Sequence, residues 1–444
     1  MPTPVPFDLI GGSYEARSKN FDAQRTVNFF AETSGSGTSK SIAMLLGTPG
    51  KRRLLTLAAA PVRGMLRINN ALAFVVGGNK LYRLNNSWVA TQIGTIDSDV
   101  TIASMATNGS TVMLVTGAYG YFINLTTFVV TTITDPDFIG ADRVDYLDGY
   151  FIWNKPGTQQ FQITQLLSTT IDTLDFASAE GAPDLLVSQM VDHREYWALG
   201  ATTIQVFTNT GNTDFPIEAV PGVFIEAGCA AKYSPAKLDK GIFWLSADDR
   251  GQGMVLRTIG YQETRVSDHA LEYAIARMSR IDDAVGWTYQ QEGHLFYVLT
   301  FPTGNQTWAY DCTTQLWAQR AYLDPSSGAL QRDRAHVHMA FNGQNVVGDW
   351  QSGKIYALDL DYFTDDGDTI SSIRQAAHIS QGDAYLRHWE VWVDMQTGVG
   401  LTAACSAQTR RPCWNGRTTT ATRSARRCWR VLARSARPAC ARVG

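Results

Sequence analysis

Residues 72–84 read LAFVVGGNKLYRL. A short apolar run from Leu72 to Val76 meets Gly77, Gly78 and Asn79, and a second strand follows with Tyr82 near its middle. The pattern is that of a β-hairpin. Branched and aromatic residues fit pleated strands, and glycine or asparagine supplies the positive φ that a tight turn needs. The same plan recurs in TVMLVTGAYGYFINL from Thr111, YFIWNKPGTQQFQIT from Tyr150 and EYWALGATTIQVFTN from Glu195. It continues in GIFWLSADDRGQGMVLR from Gly241, LFYVLTFPTGNQTWAYD from Leu295 and NVVGDWQSGKIYALD from Asn345. Successive starts lie 39, 39, 45, 46, 54 and 50 residues apart, the length of propeller blades and too irregular for a tight solenoid.

One such hairpin with its flanking strands cannot cover both faces of its small sheet. Neighbouring sheets must therefore stack radially, and closing the ring removes the sticky edges. We expect an all-β fold, a β-propeller of seven blades, with six or eight also compatible with the spacing. The second-strand aromatics Tyr82, Tyr121, Phe161, Phe207, Tyr310 and Tyr356 are expected to pack between blades and not to stack on ligands. Residues 1–60 lack the plan and read as an extended N-terminal arm with first strands, and 61–364 as the propeller. Residues 365–400, with SSIRQAAHI and WEVWVDM, read as C-terminal β-segments that close or flank it.

Bulk composition agrees with a folded body. Of 444 residues, 44% are hydrophobic and 18% charged, enough apolar surface to offset chain entropy over a large core. The opening MPTPVPFDLIGGSYEARS has no basic stretch followed by an apolar one, and nothing reaches the ~18 uninterrupted apolar residues of a membrane span. A soluble product of a cytoplasm is expected, with no membrane partner. Only Cys229 and Cys312 of the six cysteines precede residue 400, which argues for reduced thiols and against a disulfide framework.

The charge balance breaks near residue 400. Residues 401–444 hold ten arginines and no lysine, and the last acidic residue is Asp394. Subtracting those arginines from 38 basic residues leaves 28 against 41 acidic, a net charge of −13 before residue 401. The basic tail, with Cys405, Cys413, Cys428 and Cys440, shows neither strand alternation nor a helical stripe. Its composition is what out-of-frame reading of GC-rich coding sequence yields, so residues 401–444 are expected to be frameshifted or disordered. The competing reading is an arginine arm on nucleic-acid phosphates, with Trp414 and Trp429 stacking on bases.

Reactive constellations are scarce. The chain has no GxSxG, GxxxxGK[ST], CxxC or HExxH. Asp248, Asp249, Asp365, Asp366 and Asp368 neighbour glycine, as hairpin caps do. DLDYFTDDGD, residues 359–368, is dense in oxygen ligands, but Tyr362 and Phe363 interrupt it and no glutamate closes a calcium loop. His336 and His338 stand two apart, so a regular strand points both imidazoles to one face. Without a third ligand they read as a surface pair. No catalytic residue, metal or cofactor is expected. A carbohydrate-binding or glycan-cleaving propeller for host attachment remains the alternative, and it would need an arginine cluster with paired carboxylates at the channel mouth. A cellular scaffold propeller is a further alternative.

Three stretches carry a family resemblance: AQRTVNFFAE (23–32) with LLGTPGKRRLLTL (45–57), RGMLRINNALAFVVGGNKLYRL (63–84), and the run from LDLDYFTDDGDTISSIRQAAHI through WEVWVDMQTGVGL. In that order they resemble the packaged-DNA stabilisation or tail-hub (nozzle) proteins of short-tailed phages. The likeness covers about residues 20–401, and the arginine tail departs from it where such proteins tend to continue into another β-hairpin. The resemblance implies a non-enzymatic virion subunit of the tail, made in the host cytoplasm, that rings with itself as a hexamer below the portal and its adaptor or head-completion protein. It also implies tail needle, plug and fibre proteins as neighbours, and double-stranded DNA passing through the lumen without sequence recognition. An acidic body suits that passage, because it lets duplex slide where a basic wall would grip. Asn28, Phe29, Phe30, Arg52 and Arg53 are the arm residues expected to dock on a neighbour or the adaptor, with burial in the propeller's own rim an equal expectation for the two phenylalanines.

Overall fold

The wheel is closed by the two ends of its own sequence. In the computed structural model, which describes residues 8–35, 42–98 and 101–377 and the backbone of Cys428–Val431, six blades are each a contiguous run of four antiparallel strands. They span 62–95, 104–132, 144–178, 186–225, 236–265 and 285–323. The seventh is composite: Ala335–Phe341, Gln344–Asp349 and Lys354–Asp359 are completed by Gly50–Thr56, in antiparallel register with Leu55 opposite Ile355 and Gly50 opposite Asp359. The first strands of the blades line the axis, and that of the seventh meets that of the first.

Each hairpin read from the sequence is the second and third strand of a blade, so the spacing counted blades directly. The boundary at residue 60 needs correction. GKRRLLT belongs to the propeller, and it escaped notice because its hairpin partner lies some three hundred residues away in the chain. Closure of this kind satisfies the last blade's edge and makes opening the ring cost the outer strand of one blade.

Seven apolar clusters hold the wheel, one at each junction. Between blades 7 and 1, Phe341, Val346 and Ile355 pack on Val62, Val75 and Tyr82. Between blades 3 and 4, Phe161 sits 4.5 Å from Tyr196 and 4.9 Å from Phe207, centroid to centroid. The six aromatics expected between blades all occupy these clusters and are buried. Each such side chain contributes about 1.5–3 kcal/mol through burial, so the junctions dominate the stability of the ring. Near the axis the blades crowd until only glycine fits. A Cβ on Gly64 would lie 2.2 Å from the Ala103 carbonyl oxygen, and one on Gly286 2.1 Å from that of Ser234.

The outer edges are treated differently around the ring. Blade 2 ends in a three-residue strand, blades 3 and 4 in strands that are bulged, the latter carrying Pro221, and blade 5 in the charged QETR. Each device blunts strand addition. Blade 6 is covered instead, by Ala23–Val27, which runs beside its last strand and pairs antiparallel with Ser371–Gln375. Arg374 staples this layer: its guanidinium donates to the carbonyls of Leu9 (2.5 Å) and Gly12 (2.9 Å), to Thr26 Oγ1 (2.8 Å) and to Gln24 Oε1 (2.7 Å). The arm is thus an outer layer of the wheel over much of its length. Of the expected C-terminal segments, SSIRQ forms the strand just described, whereas WEVWVDM and the tail side chains lie outside the described residues. The strand Cys428–Val431 runs parallel to Ser371–Gln375. Among the described residues no helix is long and apolar enough to cross a membrane.

A buried ion triad anchors the closing strand. Lys51 Nζ lies 3.1 Å from Asp333 and 3.2 Å from Asp365. Burial works against the ammonium, yet the two carboxylates outweigh it and hold its pKa above the ordinary lysine value. Lys51→Met would strand both carboxylates, and a loss of about 3–5 kcal/mol is expected from removing one partner of a buried pair. Chemical denaturation checks this. The triple variant with Asp333→Asn and Asp365→Asn should recover part of the loss, and an unchanged unfolding midpoint in K51M would remove the triad from the account of closure.

Candidate assembly surface

The arm residues expected at an interface divide sharply. Asn28 sits at positive φ (54°) between two strands of the arm. Its side-chain amide donates to the carbonyls of Ala321 and Ser371, both at 2.8 Å, and accepts from the Ala321 amide at 2.9 Å. Phe29 is 1% and Phe30 7% exposed. The Phe30 ring stands edge-on to His294 and Phe296, with centroids 4.9 and 5.4 Å away. These three join the arm to the body of the same subunit, and for Phe29 and Phe30 the structure shows the rim burial that was the alternative to docking. Arg52 and Arg53 differ. Both lie on the closing strand with side chains 42% and 51% exposed, Arg52 at 3.2 Å from Asp359 and Arg53 at 3.3 Å from Asp366. A pairing that open to water contributes little to stability.

Groups that suggest chemistry are engaged structurally. Asp248 caps its hairpin by accepting from the amides of Arg250 and Gln252. In the acidic loop, Asp359 faces Arg52, Asp365 faces Lys51, Asp366 faces Lys354 at 2.7 Å, and Asp368 accepts from the Tyr322 hydroxyl at 2.6 Å. With their charges met by the protein's own donors, these oxygens form no cation cage. No group of three or more His, Cys, Asp or Glu side chains among the described residues could hold a metal.

His336 and His338 are not a surface pair. They lie on the first strand of blade 7, where a bulge at His336 breaks the alternation that a regular strand would impose. His338 stacks on Trp287, with ring centroids 5.4 Å apart, and its Nε2 meets Asn345 Oδ1 at 3.1 Å. Burial pushes both imidazoles down to about 4. The sequence reading missed this because it recognised second and third strands, while these histidines sit on a first strand whose neighbour blade covers them. It also missed His294 and Asp311, paired at 2.8 Å and joined by Thr314. The pair resembles a catalytic dyad in composition, but both members are almost fully buried beneath Phe30.

At the axis, Arg143 Nη1 donates to the Pro235 carbonyl at 3.0 Å and Lys232 lies 2.7 Å from Asp142. These contacts run from the entry of blade 3 to the entry of blade 5, past the first strand of blade 4, whose Ser188 donates to the Lys232 carbonyl. Charge near the wheel's own axis is therefore consumed in cross-links between blades.

A family model described as bacteriophage P22 Gp10, β-propeller, matches residues 5–363. A search of curated proteins found no match. Among solved structures, the N-terminal domain of Nup159 is similar at 10% identity and TM-score 0.44, over 76% of this chain and 99% of that one. YCF48 bound to D1 peptide is similar at 11% identity and TM-score 0.44, over 70% and 98%. The computationally designed Ika8 protein is similar at 12% identity and TM-score 0.41, over 76% and 100%. These likenesses add nothing about function.

The half-buried histidines set a pH response. A histidine whose folded pKa lies below its unfolded value of 6.5 binds fewer protons when folded. Its contribution is complete above the unfolded pKa and is lost as pH falls from about 6.5 towards 4. Unfolding free energy measured between pH 7 and pH 4 should fall more steeply for the native chain than for His336→Asn/His338→Asn. Buried carboxyls held above their ordinary range, such as Asp145 and Asp365, titrate with the opposite sign, so the difference between the two proteins is the readout. Equal slopes would mean that the imidazoles are hydrated.

Proposed function

The chain belongs to the phage stabilisation family described as P22 Gp10, β-propeller, and on that premise we propose that it is the tail-hub, or nozzle, subunit of a short-tailed phage. Copies of the wheel form a ring, a hexamer, below the portal and its adaptor. The ring retains packaged DNA and conducts it at ejection, with needle or plug and fibre proteins as neighbours. The protein acts in the virion tail and assembles in the host cytoplasm. It works as a structural part and not as an enzyme.

The observation that carries this reading is the extent of the family match. Residues 5–363 take in the arm, the closing strand and all seven blades. Two physical features support it. The first strands pack on one another about the axis, with Arg143 and Lys232 tying blade 3 to blade 5, which suits DNA travelling through a lumen between subunits and not through a subunit. The net charge of −13 before residue 401 would make that lumen wall repel phosphates and favour sliding over adhesion.

Light scattering on the full chain, alone and with portal–adaptor complexes, tests the reading. Ring formation on that platform is the expected result, and a free subunit that stays monomeric until templated fits it equally. A chain that remains monomeric and shows no affinity for the platform would overturn the hub assignment.

A further inference from the structure

The subunit is polarised in charge. Residues 144–231, blades 3 and 4 with their linkers, contain eleven carboxylates against two cations, Lys155, which lies over the Phe176 ring of the outer strand of blade 3, and Arg194. On their outer side stand Asp172 and Asp175 of strand Ile171–Ser178, Glu180 in the linker, and Glu218 and Glu226 in and after strand Ile217–Ile225. Apolar side chains lie among them: Leu174 is 79%, Leu185 52% and Phe224 41% exposed. The surface is continuous, because the linker at Gly181 runs against the Phe224 ring.

About two blades further round the wheel, a groove of about 470 Å³ opens between the N-terminal segment, the helix His269–Ile275 and blade 6. Arg17, Lys19, Arg25 and Arg277 line it, with Glu15 as its one carboxylate. No ion pair among the described residues engages Arg17, Arg25 or Arg277, although Arg25 Nε donates to Gln319 and Arg277 lies over the Tyr273 ring. Four residues after Arg17 in the chain, Phe21 is 78% exposed.

We propose that the cationic groove of one subunit receives the acidic outer rim of blades 3 and 4 of the next copy. The inference rests on the ring reading above and says which surfaces close it. Two different patches on different sides of one molecule make a heterologous contact, which repeats with constant rotation and can close into a ring. Exposed apolar groups within charged surroundings on both sides match the anatomy of protein interfaces, an apolar centre with a polar rim. Complementary charge fixes the register and suppresses like-on-like pairing. A duplex is the rival occupant of a basic groove. It is disfavoured because a phosphate backbone has no counterpart to the apolar Leu174, Leu185 and Phe224 that the rim brings with its carboxylates.

Three full-length proteins test this on portal–adaptor complexes: the native chain, Arg17→Glu/Arg277→Glu, and Asp172→Lys/Asp175→Lys. Each variant alone should assemble about tenfold more weakly, as loss of charge complementarity predicts. Mixed one to one, the two should recover assembly, since a reversed groove then meets a reversed rim. Native assembly should also weaken with added salt. Variants that assemble like the native chain would overturn the groove while leaving the ring intact. So would folded variants that fail both alone and mixed. A native chain that never assembles would bring down the ring reading itself. Unchanged rings with weakened DNA binding in Arg17→Glu/Arg277→Glu would assign the groove to nucleic acid.

Discussion

The structure depends on one pairing, between Gly50–Thr56 and Lys354–Asp359. Six blades can form from local hairpins, but a radial stack of six leaves two open faces and a seventh sheet lacking its outer strand. The closing strand supplies that strand at a heavy entropic cost, since its partner lies some three hundred residues away. Apolar burial where blade 7 meets blade 1 offsets that cost. The Lys51 triad then discriminates among registers, because a slip of one residue would turn the ammonium away from Asp333 and Asp365.

Closure also explains why so many polar groups with a functional look are inert. In a wheel whose sheets are covered on both faces, a side chain on an inner strand meets the neighbouring blade and not solvent. His338 stacks on Trp287, His294 lies under Phe30, and Arg63 is 1% exposed while donating to the Thr101, Gly78 and Asp97 carbonyls. Polar groups buried in this way must be paired to avoid a desolvation cost. Their presence records the packing of blades and says nothing about a substrate.

Much of this was legible in the chain. Hairpin recurrence marks the second and third strands, whose near-continuous apolar runs meet at turns, most of them bearing glycine, so blade spacing and the inter-blade aromatics could be read locally. First and fourth strands were harder. Val144–Leu147 and Ala236–Leu238 are short, and their identity comes from tertiary neighbours. The closing strand was invisible for the same reason. Arm residues misled because burial of Phe29 and Phe30 depends on where a nonlocal segment lands, which no local pattern encodes. Charge asymmetry between blades 3 and 4 and the arm was present in the sequence, but it acquires meaning only once the fold sets the two patches on different sides of one wheel.

A closed wheel has to resist opening and still present a surface to other molecules. The wheel satisfies the first demand through redundancy. Seven junctions share the load, and no single cluster spans more than two blades together with its covering arm. The second demand falls on the outer surface, because the inner groups are already committed to one another. Arg52 and Arg53 sit there with exposed guanidinium groups, each paired with an aspartate more buried than itself. Surface ion pairs of this kind exchange at little cost, whereas the Lys51 triad a residue away does not. A closed core with exchangeable charge at its rim therefore separates the interactions that maintain the subunit from those free to join it to others.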